Sequence, residues 1–409
     1  KVHALPFTFE TESSDLETLV RGMSYSSQIN RKYDQPLVRG AKLTDVPSHS
    51  WILPTLLTQA GVKILHIGCN PGSVSPDIPT LFWWEGPDGS RLLTFNWAEY
   101  YGSGVLPPAT WKYKTWLAMI HTHENTGAPT PEDVAAVLKE AREKAPNARI
   151  RIGQLEDFYD ALMKENPSLP VVKGDMPDTW IHGYMSMPKE VKINKAMQRV
   201  IYNTETLNSL LKQWGITPEP VEPYVEKAIE QSLLFDEHTF GLAMSHGHQD
   251  FWKYGDDFTV SRAQGLYDFI ETSWNEKGSR AHRAEQYIIP SLRKDLKKLA
   301  QNVAVKGRKV VVYNPLPWKR SGLVSFHMGV YKKNYQVYGL KDELTGKILP
   351  VYNDYNHLSF HAEDIPSLGY KTYTLVTSPI SEDSRSSRID EVKAVLENNY
   401  FKIEINKEN

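Results

Sequence analysis

The hydrophobic period of this chain changes twice along its 409 residues, and that change limits the folds open to it. Up to about residue 165, short apolar runs such as KVHALPFTF, QPLVRGAKL, GVKILHIG, SRLLTFNW and ARIRIG alternate with helical patterns at Pro131 to Lys144 and Gln154 to Met163. Strands alternating with helices point to a parallel α/β architecture. From about 190, Ile193, Met197, Val200, Thr204, Leu207, Leu211 and Trp214 fall in steps of four and three, the stripe of a helix in a bundle. Ile229 and Leu233 begin a second stripe, and Ala284, Ile288, Leu292, Leu296 and Leu299 carry a long last helix. After residue 307 the runs KVVVYNPLPW, SGLVSFHMGV, YQVYGL and YKTYTLV, with turn residues between them, predict an antiparallel β-domain. The fold class expected is multidomain α/β + α + β, with an α/β domain over 1–189, a helical bundle over 190–302 and an antiparallel β-domain over 303–378. A polar linker and a new strand follow over 379–409.

Charge and composition exclude several partners. A net charge of −2 with no run of like charges leaves no electrostatic footprint for nucleic acid. The longest apolar runs fall short of the ~20 residues that cross a bilayer, so no membrane partner is expected. One cysteine, Cys69, rules out an internal disulfide framework and any CxxC metal knuckle. The chain opens without methionine and stops at LENNYFKIEINKEN, which reads as a strand just beginning, so a fragment of a longer protein is expected. Eleven Trp and 21 Tyr suit sugar-stacking surfaces and large cores alike.

Four polar clusters are candidates for chemistry. In AKLTDVPSHSWILPTLL, Asp45 and His49 stand where a strand gives way to a helix. Asp45 or Ser48 there reads equally as a helix cap, or as an acid in the crevice at a strand's carboxyl end. HTHEN, residues 121–125, follows the strand-like WLAMI and offers metal ligands, acid/base groups or a solvated loop. In FDEHTFG, residues 235–241, the acids Asp236 and Glu237 end a helix against its dipole, so a cation is expected to compensate them. SHGHQD, residues 245–250, places His246, His248 and Asp250 alternately, as ligands on one strand face or as an exposed His-rich turn.

The order of these clusters resembles the family 38 glycoside hydrolases, the zinc-dependent retaining α-mannosidases, and a divergent bacterial branch of that clan. TDVPSHS is similar to the family's Asp-x-x-Gly-His-Ser segment, whose aspartate is both nucleophile and zinc ligand, a role that falls to Asp45. FDEHTFG resembles the segment supplying a late histidine ligand, here His238, and HTHENTGAP falls where the family has its acid/base carboxylate, here Glu124. DTWIHGYMSMPKEVKINK resembles the entry to the helical domain. The resemblance implies a partial (β/α) barrel for 1–189, the start of a β-sandwich after 379, an oligosaccharide or glycan substrate, and Trp180, Tyr101, Asn70 and Glu237 as substrate-binding residues. The family's first two zinc ligands are a His-x-Asp pair on the first strand, and nothing upstream of Asp45 supplies one. An incomplete zinc site is therefore expected in this chain.

The chemistry implied is double displacement, which needs two carboxyl groups about 5–5.5 Å apart, one ionised and attacking, one protonating the leaving oxygen. A zinc ion beside Asp45 would keep it ionised and grip sugar hydroxyls. His49 reads as a residue that supports the metal ligands from behind or caps the helix, and Ser48 as the cap. Two alternatives remain: a non-catalytic carbohydrate-binding relative, and a zinc-dependent deacetylase-like hydrolase, whose metal motif is also absent.

Overall fold

The structure is a computed structural model describing residues 2–121, 127–177, 180, 182–242, 251–328, 336–354, 357–379, 388–390, 394–397 and 400–406. Among the described residues it holds nine helices, a mixed sheet and several antiparallel sheets, a multidomain α/β fold. The chain divides into two compact units, Lys1–Tyr202 with Glu222–Pro290, and Asn203–Val221 with Ser291–Asn409.

In chain order the first unit carries α1 (Leu16–Lys32), β1 (Gly40–Leu43), α2 (Leu53–Gln59), β2 (Ile64–Gly68), β3 (Leu81–Glu85), β4 (Arg91–Trp97), α3 (Pro131–Lys144), α4 (Leu155–Met163), β5 (Val171–Lys173) and α5 (His182–Met185). Next come α6 (Pro188–Gln213), α7 (Glu222–Asp236), α8 (Gly255–Ala263) and α9 (Asp268–Asn302). The strands form one open sheet in the order β1-β2-β4-β3-β5, with β1, β2 and β4 parallel to one another. All five residues of β2 are buried, which is why ILHIG is apolar almost throughout rather than alternating. On one face Ile64, Leu81, Leu93 and Phe95 pack against Phe158 and Leu162 of α4. Five rings surround Phe95: His66, Trp97, Trp111, Trp116 and Phe158, with centroids 5.7–6.3 Å away.

The helix patterns at 131–144 and 154–163 form as expected. Thr130 and Asp133 make a reciprocal capping box ahead of α3, and Asp157 accepts from the Gln154 N–H ahead of α4. Three strand-like runs do not form strands, and WLAMI at 116–120 is one of them. Among the described residues ARIRIG has no ladder partner, and Ile152 is 66% exposed, so its alternation serves no described sheet. KVHALPFTF makes one bond to the β1 edge, Ala4 N–H to Gly40 O at 2.9 Å, and a single bridge at Phe9. It acts as a strap rather than a strand.

The buried stripe of α6 also differs from the apolar pattern. Trp214 is 37% exposed just past the helix, while Asn194, Gln198 and Asn208 are buried. The reason is that Asn194 and Gln198 each donate to Asp236 at 2.8 Å, and Asn208 donates to Asp295 at 2.9 Å. Buried carboxylates require buried amides, and an apolar count overlooks them.

The second unit is antiparallel in every described strand pair. It carries β6 (Lys309–Asn314), β7 (Arg320–His327), β8 (Gly339–Asp342), β9 (Ile348–Pro350), β10 (Tyr352–Asp354), β11 (His357–Ile365) and β12 (Gly369–Val376), then β13 (Arg388–Asp390), β14 (Val395–Glu397) and β15 (Lys402–Glu404). The sheets run β6-β12-β8-β9, β10-β11-β7 and β13-β14-β15. Leu358, Phe360 and Ala362 of β11 point alternately into a core shared with Leu340, Leu349 and Tyr373, the period-two burial that the sequence shows. Lys371 and Asp342 form an ion pair at 2.8 Å with side chains only 6% and 5% exposed.

Candidate active site

Asp45 lies two residues beyond β1, Asn70 two beyond β2, and Tyr101 four beyond β4. Because these three strands are parallel, their carboxyl ends share one edge, and the loops leaving them converge. Asp45 takes φ +77°, a left-handed conformation unusual for a residue with a Cβ. Its backbone is fastened by the Asn70 N–H donating to the Asp45 carbonyl at 3.0 Å. Gly68 ends β2 where a Cβ would stand 2.8 Å from the Tyr101 main chain. Only glycine permits the approach that brings Tyr101 over Asp45.

The carboxylate is held at both oxygens. Tyr101 OH donates to Oδ1 at 2.5 Å and Asn70 Nδ2 donates to the same oxygen at 2.8 Å. His238 Nε2 lies 2.8 Å from Oδ2. Burial disfavours the charged form, but the bonds from His238, Tyr101 and Asn70 outweigh it and hold the Asp45 carboxyl at about 2. Asp45 is therefore an ionised, oriented carboxylate whose side chain remains 23% exposed. Lys42 on β1 is a further cation nearby, its pKa lowered by burial while Asp45 raises it.

His238 follows α7 and is pinned through its main chain. The His238 N–H donates to the Thr8 carbonyl at 3.2 Å, and the Glu10 N–H donates to the Asp236 carbonyl at 2.8 Å. The same strap reaches the loop after β1, where Thr8 Oγ1 accepts from the Thr44 N–H at 3.0 Å and Thr11 Oγ1 from the Ser50 N–H at 2.9 Å. One short segment thus ties both halves of the site together. Burial lowers the pKa of His238, but Asp45 and Glu237 on its two sides raise it to about 9. Glu237 Oε1 lies 2.7 Å from Nδ1. Trp180 stands beside the imidazole with ring centroids 6.2 Å apart.

The structure therefore brings together Asp45, His238, Asn70, Tyr101, Glu237 and Trp180. His121, the first residue of HTHEN, has its ring 4.8 Å from that of Tyr101. Glu124 lies outside the described residues, as do His246, His248 and Asp250. Ser48 caps nothing: α2 begins at Leu53 behind Ile52 without a side-chain cap, and the Trp51 N–H goes instead to Asp175 Oδ1 at 2.7 Å. His49 is fully buried and pairs main chain to main chain with Met176, its pKa pushed down to about 3 by burial. It packs inside the fold and does not reach Asp45.

Two further residues support the site: Asp236, which the sequence marks as an acid at a helix end, and Lys277, which carries no signal there. Asp236 is fully buried and accepts from Ser13, Ser14, Asn194 and Gln198, while burial pushes its carboxyl up to about 6. Lys277 of α9 supplies the cation that acids at the end of α7 call for. A single lysine between Glu276 and Gly278 looks like a solvated helix face.

A zinc ion fits the described residues only in part. Asp45 and His238 are two oxygen and nitrogen donors side by side, but among the described residues no group of three His, Cys, Asp or Glu side chains is arranged to hold a metal. A tetrahedral zinc needs four ligands. The described side chains do not by themselves make that site.

No family model matches the chain, and no curated protein matches it. Among solved structures it is similar to an α-mannosidase from Enterococcus faecalis V583, with a TM-score of 0.62 and 14% sequence identity over 99% of this chain. The match covers 51% of that structure, so the chain spans about half its length. At this identity the likeness shows a mannosidase-like fold.

Proposed function

We propose that the chain carries the catalytic region of a retaining glycoside hydrolase acting on α-linked glycosides, with α-mannosides as the substrate class. The observation that carries this reading is the Asp45 carboxylate, ionised, oriented by three donors and partly exposed at the carboxyl edge of the parallel strands β1, β2 and β4. The fold's likeness to an α-mannosidase supports it.

In this reading Asp45 attacks the anomeric carbon, the C–O bond to the leaving group breaks, and a glycosyl ester forms on Asp45. An aspartate kept ionised by Tyr101, Asn70 and His238 needs no base to activate it. Glu124 gives its proton to the departing oxygen, then takes one from the water that cleaves the ester. Trp180 belongs to the sugar-facing side of the site, where an indole ring offers a stacking surface for C–H groups, while Asn70, Tyr101 and Glu237 act on the sugar through the groups they hold, Asp45 and His238. Zinc belongs to the proposal with Asp45 and His238 as donors and further donors from beyond the described residues. When bound it would supply a template for sugar hydroxyls.

The test is covalent trapping. Incubation with an activated fluoro-mannoside, followed by peptide mass spectrometry, is expected to place the label on the peptide containing Asp45. Label on a different carboxylate removes the assignment.

A further inference from the structure

The end of α7 sets two carboxylates where a helix dipole favours bases, and no basic residue stands in its last turn. Asp236 is satisfied by its four side-chain donors. Glu237 is met differently, by its neighbours His238 and Thr239 and by one buried cation from a distant helix. Lys277 has a side chain only 8% exposed, and its Nζ donates to the Leu234 carbonyl at 3.0 Å, the Glu237 carbonyl at 2.7 Å and Glu237 Oε2 at 3.3 Å. The same ammonium lies 4.7 Å from the centre of the Phe240 ring. An ammonium has three protons, and each has an acceptor here.

Glu237 is consumed in turn. Oε1 lies 2.7 Å from His238 Nδ1 and accepts from Thr239 Oγ1 at 2.9 Å, while Oε2 accepts from the Thr239 N–H at 3.0 Å and from Lys277. The imidazole of His238 thus lies between two carboxylates, with Asp45 Oδ2 in hydrogen-bond reach of Nε2 and Glu237 Oε1 in ion-pair contact with Nδ1 without the alignment of a hydrogen bond. A carboxylate against each nitrogen limits how far the ring can swing, and so sets the direction in which it meets Asp45.

We propose that Lys277 is a positioning residue for the Asp45 carboxylate: it fixes Glu237, Glu237 fixes the His238 ring, and the ring fixes Asp45 Oδ2. The kinetic part of this inference rests on Asp45 being the nucleophile; the structural part does not. A lysine serving only as a cap for α7 would need the two carbonyls alone. The third contact, to the carboxylate that holds His238, joins Lys277 to the site.

The experiment compares Lys277→Met, Glu237→Gln and the double variant in the full-length protein. It reads kcat and KM on an aryl α-mannoside, the rate of Asp45 labelling by the fluoro-mannoside, and the side-chain nitrogen resonances of His238. Lys277→Met keeps the packing against Phe240 and removes the charge. Its kcat and labelling rate are expected to fall about tenfold or more with KM changed less than about threefold, as is usual when support behind a functional histidine is lost. Glu237→Gln should fall comparably, and the double variant no further than the worse single, because the residues act in series. The His238 resonances should pass from one fixed pattern to an averaged one in each variant.

A folded Lys277→Met protein with kcat and labelling within about twofold of wild type overturns the proposal, as does a double variant whose losses multiply. If Lys277→Met does not fold, Glu237→Gln decides alone, since it retains Lys277 and its carbonyl contacts, and unchanged kcat there overturns the proposal equally. If the wild-type protein labels no carboxylate, the Asp45 assignment falls. The His238 resonances then still decide whether Lys277 orders the ring.

Discussion

His238 Nε2 meets Asp45 Oδ2 at 2.8 Å although 193 residues separate the two in sequence. One leaves a β-strand and the other a helix, so neither local pattern contains the contact. What brings them together is the Thr8–Thr11 strap, whose main chain binds the residues around His238 and whose hydroxyls bind the loop around Asp45. Tyr101, Asn70 and His238 all bear on that carboxylate and keep it charged. The site therefore presents a preformed anion rather than one that must be generated by substrate.

Tyr101→Phe tests how far that anion depends on its shortest hydrogen bond. The variant removes one hydroxyl that donates to Asp45 Oδ1 at 2.5 Å and also accepts from Asn70 Nδ2 at 2.6 Å. Bonds to charged groups contribute about 1.5–3 kcal/mol, so kcat on an aryl α-mannoside is expected to fall roughly ten- to a hundredfold. KM should change little, because the ring stays in place. Steady-state kinetics check this, and an unchanged kcat would mean that Asn70 and His238 suffice to orient the carboxylate.

Glu124→Gln separates the two carboxyl roles. It removes a proton donor but leaves Asp45 ionised. Glycosylation by a dinitrophenyl glycoside, whose leaving group needs little protonation, is expected to stay within about tenfold of wild type, while hydrolysis of a natural glycan falls by about 10²–10⁴. Water attack on the ester also slows, so label should accumulate on Asp45. Equal losses for good and poor leaving groups would remove Glu124 from the role.

Much of this site was legible in the sequence, and the rest was hidden for stated reasons. Asp45 stood out because an acid directly after an apolar run marks a strand's carboxyl end, and Glu237 because acids at a helix end demand compensation. Lys277, Asn194 and Gln198 did not, because in a helix a polar residue inside the buried stripe has the same spacing as one outside it. Only the partner, Glu237 for the lysine and Asp236 for the amides, shows which face is meant. ARIRIG misled in the opposite direction. Alternation makes a strand possible, but a strand needs a neighbour, and among the described residues it has no ladder partner.

Acid should destabilise the first unit through His66. This residue of β2 is fully buried, stacked on Phe95 at 5.7 Å, and its pKa is pushed down to about 3 by burial, with Lys42 and His121 adding to the effect. The unfolded chain binds that proton near the ordinary value of 6.5 and the folded chain only near 3, so between these values the unfolded state binds more protons. The contribution is intact above about 6.5 and is lost as pH falls towards 3, reaching about 2 kcal/mol at pH 5. His66→Leu should flatten the slope of stability between pH 6.5 and 4, measured by urea unfolding at each pH. An equal slope in the variant would assign the acid sensitivity to other groups.

The second unit offers a cleaner separation of charge from packing in Lys371 and Asp342. Their side chains are 6% and 5% exposed and 2.8 Å apart, and Asp342 Oδ1 also accepts from the Leu344 N–H at 2.9 Å in the following turn. Burial raises the carboxyl's pKa, but Lys371 and the Leu344 N–H outweigh it and hold it below its ordinary value. The stability from this pair is therefore present above the unfolded carboxyl's pKa and is lost as pH falls through the lower, folded one. Asp342→Asn keeps the acceptor for Leu344 but leaves an ammonium buried without a counter-charge, at a cost of about 3–5 kcal/mol. Lys371→Met strands the carboxylate instead and should cost a similar amount. Combining the two removes both charges and leaves nothing stranded, so the double variant should be more stable than either single one. Urea unfolding of the second unit reads all three, and a double variant whose loss equals the sum of the singles would show that the two side chains contribute by packing and not as a pair.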